Sequence, residues 1–194
     1  MVKRDIEILE KFVTDKRKER FAEVLSNRTR YATVVLEDLF QPHNASAVLR
    51  SCDLFGVQDI HVIENQNEYT VNPEIAVGAS KWLNTIKYNQ QENNTLDAIN
   101  KLKKQGYRIV ATTPHTNDVE LKDFDISKGK FALVFGSELP GITDIVRENA
   151  DEFLKINMYG FTESFNISVS VALVLRELIE KLHKSDINWK LEED

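Results

Sequence analysis

Along the first 25 residues, apolar side chains recur at helical spacing. Ile6, Ile8, Leu9, Phe12 and Val13, then Phe21, Val24 and Leu25, form a partial stripe that predicts helix over residues 3–25. The pattern breaks at Ser26–Thr29, and from Thr33 its period changes. TVVLEDL is short, β-branched and almost continuously apolar, as a buried strand requires. Asn44 then stands where it can cap a helix through AVLRSCDLF, with Gly56 just past its end. DIHVIE (59–64) and TIKYN (85–89) are the next strands, separated by a loop-rich stretch with Gly78 and Trp82. A helix from Thr95 carries Leu96, Ile99 and Leu102 on one face and stops at Gly106. YRIVATT (107–113), KFALVFG (130–136) and FLKIN (153–157) are further strands. A short helix is predicted near Thr143 and a long one from Ile167 to Lys184. Strands alternating with helices predict an α/β domain with a mainly parallel sheet and helices on both faces.

The chain is thus expected to divide into a helical arm (1–30), one domain (31–184) and a short acidic tail (185–194). With 194 residues, 42% of them hydrophobic, it has the material for a single stable core. The N-terminus alternates charge with apolar residues and lacks a signal-peptide core, and no apolar run approaches the ~20 residues of a membrane span. A cytoplasmic setting is therefore expected. Cys52 is the only cysteine, which excludes an internal disulfide and a Cys-rich zinc site. On its apolar helix face it reads as a packing residue. His43, His61, His115 and His183 show no metal-ligand spacing, and no metal is predicted.

The net charge of −6 argues mildly against a nucleic-acid partner until its distribution is considered. The arm holds nine basic and six acidic side chains, a balance of +3, so the remainder carries −9. A basic arm on an acidic body allows local phosphate contacts, although a solvated amphipathic helix accounts for the same charges.

Three segments put polar residues where a fold would favour apolar ones. In Pro42-His43-Asn44-Ala45-Ser46-Ala47-Val48-Leu49-Arg50, Asn44 and Arg50 lie nearly two turns apart. Taken alone, they read equally as a cap and a surface charge. Val134-Phe135-Gly136-Ser137-Glu138-Leu139-Pro140-Gly141-Ile142 ends a buried strand in a loop with two glycines around one carboxylate, either a plain turn or a close backbone approach to a ligand. Residues 156–170 (INMYGFTESFNISVS) place Ser164, Asn166, Ser168 and Ser170 ahead of an apolar helix, more capping residues than one helix start can use. The sequence has neither a P-loop nor G-x-G-x-x-G after a first strand.

In this order, the three segments resemble the three motifs of the SpoU, or TrmH, family of SPOUT-class RNA ribose methyltransferases. The resemblance spans residues 30–178, and ASKW (79–82) and ATT (111–113) are similar to the family's intervening segments. It implies a deep C-terminal trefoil knot, an exception to the rule against knotted folds. It also implies S-adenosyl-L-methionine as cofactor and a homodimer with the active site near the interface. Thr112, Gly136, Ile156, Met158 and Phe165 match positions where backbone groups hold the cofactor. Arg50 matches the family's catalytic arginine, with Asn44, Glu138, Ser164 and Asn166 as polar companions. Asn157 replaces the usual proline of I-P-M, and Phe165 the usual leucine of S-L-N, changes that still allow the backbone roles but can alter the shape of the cofactor pocket. Within the family, the arm points to members that methylate guanosine 18 of tRNA, with Arg17, Arg20, Arg28 and Arg30 suited to phosphates. Alternatives are methylation of ribosomal RNA, for which there is no room for the usual extra domain, and a non-catalytic RNA binder, which would not need this polar set. A generic small-molecule α/β enzyme would leave the basic arm unexplained.

Overall fold

The computed structural model describes residues 2–114, 119–137 and 141–191. The predicted arm helix is two helices, α1 (Val2–Leu9) and α2 (Asp15–Leu25), joined through a 3-10 turn at Glu10–Phe12. The break falls at Val13 and Thr14, both in extended backbone. Asp15 in the first turn of α2 suits the positive end of the new helix dipole.

The body contains β1 (Ala32–Glu37), α3 (Pro42–Leu54), β2 (Asp59–Ile63), α4 (Pro73–Ala76), β3 (Asn84–Tyr88) and α5 (Asn94–Lys104). β4 (Arg108–Thr112), β5 (Val119–Glu120), β6 (Phe131–Phe135), α6 (Asp144–Asn149), β7 (Glu152–Lys155) and α7 (Ile167–His183) follow. The strands form one seven-stranded sheet in the order β3-β2-β1-β6-β4-β7-β5, and every pairing is parallel. The chain therefore returns twice to fill inner positions: β6 enters between β1 and β4, and β7 between β4 and β5.

Helices cover both faces, as expected of a parallel sheet. On one face, Val48, Leu49 and Cys52 of α3 and Val171, Leu175 and Leu178 of α7 pack on Val34, Leu36, Val62 and Leu133. On the other, Ala98, Ile99 and Leu102 of α5 and Val146 of α6 pack on Val35, Ile63, Ile109 and Val134. Cys52 is completely buried, and that burial pushes its thiol well above the usual range, in keeping with packing and against nucleophilic use.

Two predicted details change. Asn44 does not cap α3: Gln41 is the extended residue before it, and Pro42, with φ already set for a first helical residue, begins the helix. Asn44 instead lies inside the first turn, 8% exposed. The residues read as an acidic tail are docked as far as Leu191. The Thr29 hydroxyl donates to the Trp189 carbonyl at 2.5 Å, Thr29 bridges both Val57 and Lys190, and buried Trp189 stacks on His183.

His61, on β2, is 4% exposed, with Nδ1 2.9 Å from the Tyr88 hydroxyl. Burial lowers its pKa to about 4, against a smaller opposing pull from Asp59. The unfolded chain takes up this proton near pH ~6.5, the folded chain only near 4, so the unfolded state binds more protons between those values. Stability contributed by the neutral ring is thus complete above pH ~6.5 and falls by about 3 kcal/mol as the pH drops to ~4. Urea unfolding across this range is expected to show that loss, and His61→Gln to flatten it; an unchanged slope would remove His61 as its origin.

Candidate functional site

β4, β6 and β7 end side by side at their carboxyl ends, where parallel α/β sheets bind ligands. A cavity of about 250 Å³ opens there, closed on one side by the start of α7. Thr112, Gly136, Ile156, Met158 and Phe165, the five positions expected to hold a cofactor, all line it. Thr112 is oriented by its hydroxyl, which donates to the Val134 carbonyl of β6 at 2.9 Å. The chain turns back so closely after Gly136 that a Cβ there would lie 2.2 Å from the carbonyl carbon and oxygen of Gly141 and 2.3 Å from the nitrogen of Ile142. Gly141 itself has φ +88°, a left-handed conformation that favours glycine.

Of the expected catalytic set, Ser164 lines the cavity, and Glu138 lies outside the described residues. Asn44 and Asn166, 122 positions apart, meet directly: Asn166 Nδ2 donates to Asn44 Oδ1 at 3.0 Å. Asn44 Nδ2 donates in turn to Gln41 Oε1 at 3.2 Å. Asn166 Oδ1 accepts from the Ser168 amide at 2.9 Å and from its hydroxyl at 2.6 Å, capping α7. Asn166 therefore caps one helix and ties it to another, and the flanking Phe165 and Ile167 both line the cavity. Arg50 stands apart. It is exposed on α3, is absent from the cavity lining, and makes no hydrogen bond or ion pair with the described residues.

Sequence reasoning missed several walls of the cavity, among them Thr113, Ser137, Ile142 and Val174. Their signal was positional: strand-end residues and the inward face of α7 follow once the strand order is known.

Arg17, Arg20 and Arg30 are exposed, as RNA contacts would require. The Arg17 guanidinium sits over the Phe21 ring, 5.5 Å from its centroid, and Phe21 tilts against Trp82 of the body. Arg20 pairs with Glu23 at 2.8 Å and Arg30 with Asp59 at 2.9 Å. Arg28 is different and corrects the expectation: it is 2% exposed, paired with Asp53, and donates to Gln58 Oε1 and the Trp82 carbonyl, each at 3.2 Å. Its donors are turned into the protein, away from any phosphate. Arg28→Ala would strand the Asp53 charge and is expected to cost about 3 kcal/mol of stability, read from urea midpoints. The salt dependence of RNA binding should not change, and a flattened salt slope with stability intact would restore Arg28 to the RNA-contacting set.

Among the described residues, no group of three or more His, Cys, Asp or Glu side chains could hold a metal ion, and no helix is long and apolar enough to cross a membrane.

The chain is similar to known proteins in sequence and fold. A tRNA (guanosine(18)-2′-O)-methyltransferase of Borreliella burgdorferi is 46% identical over 188 residues, which span 97% of this chain and 84% of that protein. The crystal structure of the Aquifex aeolicus TrmH/SpoU tRNA modifying enzyme superposes with a TM-score of 0.78 at 29% identity, over 88% of this chain and 84% of that one. The SpoU methyltransferase AviRb of Streptomyces viridochromogenes, solved in complex with AdoMet, shares the fold with a TM-score of 0.66 at 19% identity, over 84% of this chain and 62% of that one. Residues 31–176 match the profile of the SpoU rRNA Methylase family. That span holds the whole cavity and the Asn44–Asn166 bridge, and the chain belongs to the SpoU rRNA methylase family.

Proposed function

We propose that this chain transfers the methyl group of S-adenosylmethionine to the ribose 2′-oxygen of guanosine 18 in tRNA. The convergence of Thr112, Gly136, Ile156, Met158 and Phe165 on one cavity carries the reading, and the name of the 46% identical relative supplies the nucleotide. The lining suits the cofactor. Apolar Ile142, Leu154, Ile156 and Val174 suit a flat base, while the Thr113, Ser137 and Ser164 hydroxyls and the ends of three strands suit its polar parts. Backbone contacts tolerate changes of side chain, which accounts for Asn157 and Phe165 at variable motif positions.

The bound cofactor supplies an electrophilic methyl group on a sulfonium. A ribose hydroxyl attacks it poorly until its proton is lost, so the protein has to favour the developing oxyanion. Arg50 does this as a cation. A guanidinium holds its proton too firmly to serve as a base; its forked donors suit the oxyanion and the adjacent phosphate. Ser164 and Asn166 orient the ribose, and Asn44 holds Asn166 in place. Glu138 positions the loop or Arg50.

A homodimer completes the site. Phe165, Val169 and Leu173 leave an apolar stripe exposed at helical spacing beside the cavity, 41–44% accessible. A second copy covering it accounts for a functional arginine that does not line its own chain's cavity. The interleaved entry of β6 and β7 is read as the course of a trefoil knot, and the arm as an RNA-binding element in an intracellular enzyme.

The test is transfer of labelled methyl from S-adenosylmethionine to unmodified bulk tRNA, followed by nucleoside mapping. Label in 2′-O-methylguanosine at position 18 is expected. Label on ribosomal RNA alone would replace the substrate, and none on either RNA would overturn the reading.

A further inference from the structure

Glu37 is the last residue of β1 and is 1% exposed. Three donors converge on its carboxylate: the Thr143 amide at 3.0 Å, the Thr143 hydroxyl at 2.8 Å and the Thr95 hydroxyl at 2.7 Å. Among the described residues it has no ion-pair partner. A buried carboxylate of this kind costs stability, and hydrogen bonds offset that cost only in part. What it holds gives the cost a purpose. Thr143 caps α6, and the two residues before it, Gly141 and Ile142, are a wall of the cavity. The other side of that wall presses on the backbone of Gly136. β1 and β6 run in register up to Leu36 and Phe135, so Glu37 and Gly136 occupy the next step of neighbouring strands.

We propose that Glu37 is a positioning residue for the cofactor pocket. Its carboxylate pulls Thr143 down onto the end of β1 and so fixes how closely the 141–142 wall approaches Gly136. Thr95, on α5, donates to Oε1, the oxygen that also accepts from the Thr143 hydroxyl, and takes no part in the wall. This rests on the reading of the cavity as the S-adenosylmethionine site. A glutamine at 37 offers one acceptor oxygen in place of two and turns an NH2 group toward donors, so the clamp on Thr143 loosens while the residue's volume is kept.

Calorimetric titration of S-adenosylmethionine into the full chain, well below the melting midpoint, tests it. Glu37→Gln and Thr143→Val are each expected to weaken binding about tenfold, with the double variant no weaker than either. Thr95→Val should lower the melting midpoint and leave affinity within about twofold of wild type. Wild-type affinity in Glu37→Gln would overturn the proposal, as would an equal loss in Thr95→Val. Should Glu37→Gln not fold, Thr143→Val against Thr95→Val decides by the same criteria. If the wild-type chain itself fails to bind S-adenosylmethionine, the reading of the cavity falls, and this inference with it.

Discussion

A Gly136→Ala variant is expected to bind S-adenosylmethionine about a hundredfold more weakly than the wild-type chain, the largest loss anticipated from any single methyl group here. The obstacle is contact. The added carbon would sit 2.2–2.3 Å from backbone atoms of Gly141 and Ile142, and backbone has no alternative rotamer to adopt. The wall has to move outward, taking Ile142 from the cavity and straining the hydrogen bonds that Thr143 makes to Glu37. Gly160, in the loop leading to Ser164, is the matched control. Its nearest atom beyond its chain neighbours lies 3.9 Å from an ideal Cβ, so Gly160→Ala should leave affinity unchanged. Calorimetry on both variants checks the pair, and full affinity in Gly136→Ala would mean that the cofactor lies elsewhere.

Arg50→Ala should show the opposite signature, cofactor affinity unchanged and methyl transfer slowed about 10²- to 10³-fold, the usual effect of losing a donor to a developing oxyanion. The separation follows from geometry: Arg50 is exposed on α3 and does not line its chain's cavity. Single-turnover transfer of labelled methyl to tRNA measures the rate, and titration measures the affinity. Arg50→Lys refines the result. A lysine keeps the charge and loses the fork, so a rate near wild type would show that charge alone suffices, while a deep loss would assign the work to bidentate geometry.

The strands and long helices were legible because a buried parallel sheet needs apolar runs and its helices need a periodic stripe. β5 and α4 were not: two and four residues are too short to carry a period. The arm was read as one helix because apolar periodicity runs across Val13–Thr14, where the backbone extends without any glycine or proline to signal it. The five positions expected to hold a cofactor came from the motifs, since spacing alone cannot show that strands β4, β6 and β7 end together around one cavity. Arg28 was misassigned for a related reason. Its chemistry suits a phosphate, but Asp53, Gln58 and Trp82, all at least 25 positions away, decide that it points inward. Glu37 did leave a trace, a carboxylate inside an otherwise apolar strand, but its partners Thr95 and Thr143 are distant in sequence.

The order of the strands also sets when the molecule can finish folding. β1, β2 and β3 are made first and pair with one another, yet one edge of β1 stays open until β6, almost 100 residues later, slides in beside it. During synthesis that edge and both edges of β4 are unsatisfied rows of amides and carbonyls with apolar side chains on both faces, the surface most prone to join a neighbouring chain. Closure depends on contacts distant along the chain, which folds slowly. A nascent chain stalled before Phe131 should therefore depend on chaperones far more than the finished enzyme does.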